Sequence, residues 1–141
     1  MTEEDKELLL RDLCGRQMYN VKCQVFNDAN PYTLSGVLHN KPHSQLYFEE
    51  LDWKEYDGFV NVEYCKPHLF PLSSMTEEQK KTYNFWKHEI PVCRYEYGDV
   101  VEEIELFDSP ESFEYLIENH YDYRGLIEKG LAIDATNKNI Y

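Results

Sequence analysis

The stretch VKCQVFNDANPYTLSGVLH, from Val21 to His39, has the two-residue period of a β-hairpin. Its first arm, VKCQVF, places Val, Cys and Val at alternate positions, and NDANP has the composition of a turn. The segment from Tyr32 to His39 is predicted to be the returning strand, with Gly36 at a bulge or a point of close approach.

Two more short strands are predicted after this hairpin, from Gln45 to Glu49 and from Phe59 to Tyr64. The four segments together predict a curved antiparallel meander. The pattern V-x-C-x-V, polar turn, Y-x-L-x-G-x-L is similar to the first hairpin of small SH3-like or Sm-like barrels. A small barrel is therefore one topology open to the meander, and this similarity carries no function.

A helix is predicted before the meander, from Glu3 to Cys14. Thr2 can act as its N-cap, and three acidic residues follow in the first turn, where the helix dipole favours them. Leucines then recur at helical spacing, and Gly15 is expected to end the helix.

Helices are also predicted after the meander. Thr76 begins a capping-box signature, TEEQ, ahead of a helix from Glu77 to His88. Ser109 and the proline that follows begin another helix, and RGLIEK, Arg124 to Lys129, is predicted as a short helix that Gly130 stops. The fold predicted is α+β: an N-terminal helix, a curved meander, and helices packed on it.

The segment from Val92 to Phe107 fits two structures. VCRYEY and VVEEIELF can form a hairpin around Gly98 and Asp99, while Val100, Val101, Ile104 and Phe107 also fit one face of a helix. We favour the hairpin. LAID, close to the end of the chain, is predicted as a last strand.

Length and composition indicate one domain over residues 1–141, with 135–141 as a flexible tail. Hydrophobic residues make up 42% of the chain, which argues against disorder. No window has the ~20 apolar residues that span a bilayer, and MTEEDKELLL is acidic where a secretory signal would be basic. We therefore expect a cytoplasmic protein whose four cysteines are reduced.

Charge is concentrated between Tyr95 and Tyr123. This stretch contains ten acidic residues and no Lys or Arg, and so supplies most of the net charge of −13. Such a field repels nucleic acids and anionic membranes and attracts basic surfaces. Five tyrosines lie in the same stretch, and Tyr is enriched in protein interfaces.

Two long strings resemble a known family. KPHLFPLSSMTEE (Lys66 to Glu78) and HYDYRGLIEKGLAIDATNKNIY (His120 to Tyr141) resemble the signature segments of a family of small uncharacterised proteins. LLRDLCGR, Leu9 to Arg16, resembles the family's N-terminal segment. That family is encoded in gut Bacteroidales genomes and in their phages and mobile elements. The resemblance implies a phage or mobile-element setting, and it carries no activity or catalytic residue.

Motifs of catalysis and cofactor binding are weak in this chain. Cys65 and His68 have a ligand-like spacing, but a structural zinc site usually needs two close ligand pairs. The six glycines are isolated, so neither G-x-G-x-x-G nor a P-loop is present. We predict no metal, no cofactor and no catalytic residue.

Two functions remain open from the sequence. The first is a non-enzymatic accessory protein that binds a basic protein surface through an acidic, Tyr-rich face, including mimicry of nucleic acid toward a nucleic-acid-binding protein. The alternative is a small ligand-binding domain or enzyme that uses the corner from His120 to Arg124. Direct contact with nucleic acid or a membrane is not expected. The predicted partner-binding residues are Glu111, Glu114, Tyr115, Glu118, Tyr121, Asp122, Tyr123 and Arg124.

Overall fold

The computed structural model describes residues 1–40, 43–51 and 57–141. The chain divides into two compact units, which are described separately below. Unit 1 comprises Met1–Ser74 and Ile117–Tyr141, and unit 2 comprises Met75–Leu116. The single domain predicted from the sequence stays a prediction. Within the described ranges, no helix is long and apolar enough to cross a membrane.

Unit 1 begins with helix α1, Glu3–Arg16. Its N-terminus is the expected capping box, in which the Thr2 hydroxyl accepts a hydrogen bond from the backbone N–H of Asp5 at 3.1 Å. The prediction that Gly15 ends the helix was wrong. The chain stays helical to Arg16, continues as a 3-10 turn, and reverses only at Asn20, whose φ of 56° is left-handed.

Five strands of unit 1 form one sheet. They are β1 (Lys22–Val25), β2 (Tyr32–Thr33), β6 (Cys65–Pro71), β9 (Tyr121–Asp122) and β10 (Ile133–Asp134). The order of the strands is β10-β6-β1-β2, and β9 pairs with β6 further along. β6 runs antiparallel to β1 and parallel to β9 and β10.

A second sheet in unit 1 has three antiparallel strands, β3 (Gly36–Asn40), β4 (His43–Tyr47) and β5 (Phe59–Asn61). The predicted returning strand is thus split between two sheets. Its backbone changes partner between Leu34 and Ser35. The Leu34 N–H donates to the carbonyl of Val21, just before β1, and the Ser35 N–H donates to the carbonyl of Tyr47 in β4, each at 2.9 Å. The described strands form open sheets, so the SH3-like barrel is not formed among them.

The core of unit 1 lies among α1 and both sheets. It is built from the alternate residues of the strands and from the buried leucines of α1. The main apolar members are Leu9, Leu13, Val21, Cys23, Leu34, Leu46, Phe48, Val60, Cys65, Leu69 and Leu126. The α+β class predicted from the sequence is therefore confirmed.

Unit 2 contains helix α2, Glu77–Phe85, and a two-stranded antiparallel hairpin of β7 (His88–Glu96) and β8 (Asp99–Phe107). The predicted capping box of α2 is confirmed, since the Thr76 hydroxyl accepts from the Gln79 N–H at 3.2 Å. The helix ends at Phe85, earlier than predicted. The favoured hairpin is also confirmed.

Helix α3, Pro110–Glu118, follows the hairpin, and the division between the two units falls within it. Its N-cap is Ser109, as predicted: the hydroxyl accepts a hydrogen bond from the Ser112 N–H at 3.0 Å. The predicted helix from Arg124 to Lys129 is wrong, since this segment is a series of turns that ends at Gly130.

The end of the chain is attached to unit 1. Ala135 is buried and its N–H donates to the Leu69 carbonyl at 2.8 Å; the flexible tail over residues 135–141 stays a prediction. The Tyr141 hydroxyl accepts from the Lys22 N–H at 2.9 Å and donates to the His68 carbonyl at 2.7 Å.

Candidate functional site

The corner from His120 to Arg124 is organised around a buried ion pair in unit 1. Arg16 Nε donates to Asp12 Oδ2 at 2.7 Å, and both side chains are completely buried. A second guanidinium nitrogen of Arg16 donates to the Tyr121 carbonyl at 2.6 Å. α1 is thereby tied to the corner at Tyr121, which is buried and whose ring lies 6.3 Å from that of Phe70.

Asp122 does not pair with Arg124 but caps the backbone of the residues that follow it. Its two carboxylate oxygens accept from the N–H groups of Leu126 and Ile127, each at 2.9 Å. Arg124 instead lies 3.4 Å from Asp12, through its Nε. The same Nε donates to the Tyr123 hydroxyl at 3.2 Å.

The Tyr123 ring lies close to two guanidinium groups. The guanidinium carbon of Arg16 is 5.5 Å from the ring centroid, and that of Arg124 is 5.0 Å from it. Burial raises the pKa of Asp12, and the two arginines act against that rise. The arrangement holds these cations by carboxylate and aromatic contacts inside unit 1.

His120 completes the corner. It has a left-handed φ of 62°, and its ring stacks on Tyr141 at a centroid distance of 3.7 Å. Burial and the nearby charge of Arg16 lower the pKa of His120 to about 4. The imidazole is therefore neutral near pH 7.

These contacts favour a structural role for the corner. Tyr121 and Asp122 are buried, so they present little surface to a partner. Tyr123 and Arg124 are half-buried. In the part of the chain that the structure describes, no group of three His, Cys, Asp or Glu side chains could hold a metal ion. Burial raises the pKa of Cys65 to about 12, as expected for an inert core thiol.

The remaining predicted residues lie on α3. Glu111, Glu114 and Glu118 are all exposed. Tyr115 is half-buried and stacks on Tyr83 at 6.3 Å. The three tyrosines of the predicted set are thus partly or wholly buried, and the three glutamates are exposed; a partner site at these residues stays a prediction.

The β7–β8 hairpin presents a different candidate surface. Residues paired across the two strands share a face, and the pairs Pro91–Ile104 and Tyr95–Val100 lie on the same one. Every residue of that face is exposed; Tyr95 is 84% exposed and Ile104 is 69% exposed. We call it the apolar face, and it consists of Pro91, Cys93, Tyr95, Val100, Ile104 and Leu106, with Glu89 and Glu102 beside them.

The opposite face of the hairpin is more polar and partly covered. Val92 and Val101 are half-buried there. Arg94 pairs with Glu103, and also with Glu105 at 3.0 Å. The hairpin from His88 to Phe107 contains six acidic residues and one arginine, so its net charge is −5 with its histidine neutral.

Unit 2 has little core of its own. The structure describes all of its residues, and its only buried apolar side chains are Met75 and Leu116, at its two ends. No residue of α2 or of the hairpin is buried. A two-stranded hairpin is marginally stable alone in water, so a partner that covers the apolar face would stabilise the hairpin.

Comparison with family models, with curated proteins and with solved structures finds no match to this chain. The candidate surface is therefore interpreted from its own geometry. Sequence reasoning placed the partner site on α3 and the corner, and missed the hairpin residues. The signal was present: Tyr95, Val100, Ile104 and Leu106 fall on one face once VCRYEY and VVEEIELF are aligned as antiparallel strands around Tyr97 and Gly98.

Proposed function

We propose that this protein is a non-enzymatic accessory protein that binds a basic protein surface through the β7–β8 hairpin. The apolar face supplies the contact area and the surrounding carboxylates supply charge complementarity. The observation that carries the proposal is that six apolar residues on one face of the hairpin are all exposed, in a hairpin that also has six acidic residues.

The composition of this surface supports the assignment. Interface centres are enriched in aromatic and apolar residues and surrounded by a polar rim. Tyr95 and Tyr97 are among the most exposed side chains of the molecule, and both stand close to the hairpin tip. Charge of one sign raises the rate of encounter with a surface of the other sign and makes that rate sensitive to salt.

A phage or mobile-element setting in the cytoplasm is part of the proposal. It rests on the strings from Lys66 to Glu78 and from His120 to Tyr141, which resemble a family encoded in Bacteroidales genomes and mobile elements. Mimicry of nucleic acid is the weaker form of this function. On the hairpin the carboxylates alternate with apolar side chains, and Arg94 pairs with two of them, whereas a mimic of phosphates needs an uninterrupted acidic track.

The test compares two matched variants in capture from a Bacteroidales lysate. Ile104→Asp adds a charge in the middle of the apolar face, and Leu72→Asp adds the same charge at an exposed leucine of unit 1. We expect basic proteins to be captured by the unmodified protein and by Leu72→Asp, and to be lost with Ile104→Asp. Equal capture by both variants would refute the proposal.

DNA competition distinguishes the two forms of the function. An interface with an apolar centre should keep part of its binding when salt is raised and when duplex DNA is added. Capture that disappears with both treatments, and that consists of nucleic-acid-binding proteins, would instead support mimicry.

A further inference from the structure

The backbone of the hairpin has one continuous free edge. Tyr97 and Gly98 form a two-residue turn with φ values of 49° and 84°, which makes Glu96 and Asp99 the closing hydrogen-bonded pair. Hydrogen-bonded and non-hydrogen-bonded pairs alternate from there. Residues of the apolar face fall in the non-hydrogen-bonded pairs, so their N–H and C=O groups point away from the other strand.

On β8 these outward groups belong to Val100, Glu102, Ile104 and Leu106. Each of the four can both donate and accept a hydrogen bond. Among the described strands only β7 pairs with β8, and it occupies the other edge. The outer edge of β8 is therefore a ladder of donors and acceptors that is available for another strand.

The outer edge of β7 is interrupted. Its outward positions are Glu89, Pro91, Cys93 and Tyr95, and Pro91 has no N–H to donate. Proline on an edge strand is a common protection against strand addition. The hairpin is thus asymmetric: β7 carries that protection and β8 does not.

Side chains along β8 define what an added strand would carry. On one face its residues would lie beside Val100, Glu102, Ile104 and Leu106, and the three apolar residues of that row favour apolar partners. On the other face they would lie beside Val101, Glu103 and Glu105, where Lys or Arg would meet carboxylates. Alternating apolar and basic residues satisfy both faces at once.

We infer that the partner binds by adding an extended segment of alternating apolar and Lys or Arg residues to the free edge of β8. This inference rests on the proposed function and specifies its mode. A second copy of the chain is a poor occupant of the edge. Each hairpin has a net charge of −5, so two β8 edges would bring like charges opposite each other.

The probe is a synthetic peptide of the length of β8, nine residues, with alternating Val and Lys and blocked ends. Its control has the same composition with the lysines and the valines in separate blocks. Fluorescence anisotropy with the full chain should show the alternating peptide binding at least about ten-fold more tightly, because only it can satisfy both faces of the edge. Equal affinities would overturn the inference.

Cross-strand neighbours provide the matched protein variants. Glu102 and Cys93 form one non-hydrogen-bonded pair, so proline at either position removes an outward N–H and leaves the ladder between the strands intact. We expect Glu102→Pro to weaken peptide binding about ten-fold, as for a lost hydrogen bond. Cys93→Pro should bind the peptide like the unmodified protein. Glu102→Gln removes the charge but keeps the N–H, so it separates the effect of the lost charge from that of the lost N–H. Equal loss in both proline variants would refute strand addition at β8.

A peptide-side measurement keeps the test independent of variant folding. Two N-methylated forms of the peptide are compared. In one, the methyl groups are on the alternate amides that face β8; in the other, they are on the remaining amides, which face solvent. The first should not bind and the second should bind as before; equal effects would overturn the inference. A dimer in sedimentation that Glu102→Pro dissociates would also overturn it, by assigning the edge to a second copy.

The two proposals fail in different ways. If neither peptide binds while Ile104→Asp still abolishes capture from lysate, strand addition is wrong and the proposed function stands. If the peptide binds the β8 edge while Ile104→Asp leaves capture unchanged, the edge is competent for strand addition but the proposed function is wrong.

Discussion

Arg16 and Asp12 form a completely buried ion pair one turn apart on α1, with Arg16 Nε 2.7 Å from Asp12 Oδ2. An ion pair in this position costs desolvation of both charges, which good geometry and additional hydrogen bonds must offset. Those additional contacts come from the corner: Arg16 also donates to the Tyr121 carbonyl, and Arg124 lies beside Asp12. The corner residues therefore supply the additional contacts that a buried ion pair inside unit 1 requires.

Removal of one partner of this pair should be strongly destabilising. We expect Arg16→Met to lower the free energy of unfolding by about 3–5 kcal/mol, because Asp12 is left buried without its main counter-ion. The double variant Asp12→Leu with Arg16→Met should lose much less than the sum of the single variants. Urea denaturation followed by circular dichroism measures all three.

The same helix offers a control for that prediction. Arg11 pairs with Glu7 at 2.6 Å with the same spacing, but both side chains are exposed. Arg11→Met should therefore cost about 0.5 kcal/mol or less. Comparable losses for Arg11→Met and Arg16→Met would contradict a special role for the buried pair.

Asp122 should act as a backbone cap. Asp122→Ala leaves the N–H groups of Leu126, which is buried, and Ile127, which is half-buried, without their acceptor, at a cost of about 2–4 kcal/mol. Hydrogen exchange at these two amides should accelerate in the variant beyond the change in global stability. Asp134→Ala is the control, because Asp134 accepts from the N–H of Thr136, an exposed residue. Unchanged protection of Leu126 and Ile127 in Asp122→Ala would refute the assignment.

His120 should make stability depend on pH in the acidic range. Its pKa is lowered to about 4, below the ordinary value of 6.5 that applies in the unfolded chain. Between these values the unfolded chain binds more protons, so stability falls as pH decreases from about 6.5 to about 4. Denaturation at a series of pH values measures this dependence.

His120→Asn should flatten the pH dependence in that range. Asn tolerates the left-handed backbone of position 120 and does not titrate. His68, whose pKa burial also lowers, leaves part of the slope in the variant. His88→Asn, at an exposed position of β7, is the control; if the slope of His120→Asn equals that of the control, the titration belongs to another group.

Local patterns predicted the elements of this fold better than their arrangement. The caps at Thr2, Thr76 and Ser109 are short-range signals, and each marks a helix start in the structure. Helix ends were less predictable: α1 continues through Gly15 to Arg16, whose side chain contacts Tyr121, a residue remote in sequence. A long-range contact of this kind leaves no periodic signal.

Strand β6 shows the same limit. KPHLFP contains two prolines, which argue against an interior strand, yet β6 pairs with three other strands. Pro67 is paired with β1 alone, because β10 begins its pairing at His68. The apolar face of the β7–β8 hairpin was missed for a related reason. Which residues share a face of a hairpin is known only when the pairing register of its two strands is known.

Tyr97 should trade stability for binding. It has a φ of 49° at the first position of the hairpin turn, where Asn or Gly is preferred, and its side chain is fully exposed. Tyr97→Asn should therefore stabilise the hairpin by up to about 1 kcal/mol, since relief of left-handed strain is worth roughly that amount. The same substitution should weaken capture of the basic partner, because it removes an aromatic side chain beside the apolar face.

Tyr95→Asn, at a regular strand position, should lower both stability and capture. Thermal unfolding and lysate capture measured on the two variants separate the effects, and destabilisation by Tyr97→Asn would show that Tyr97 makes a structural contribution at the tip.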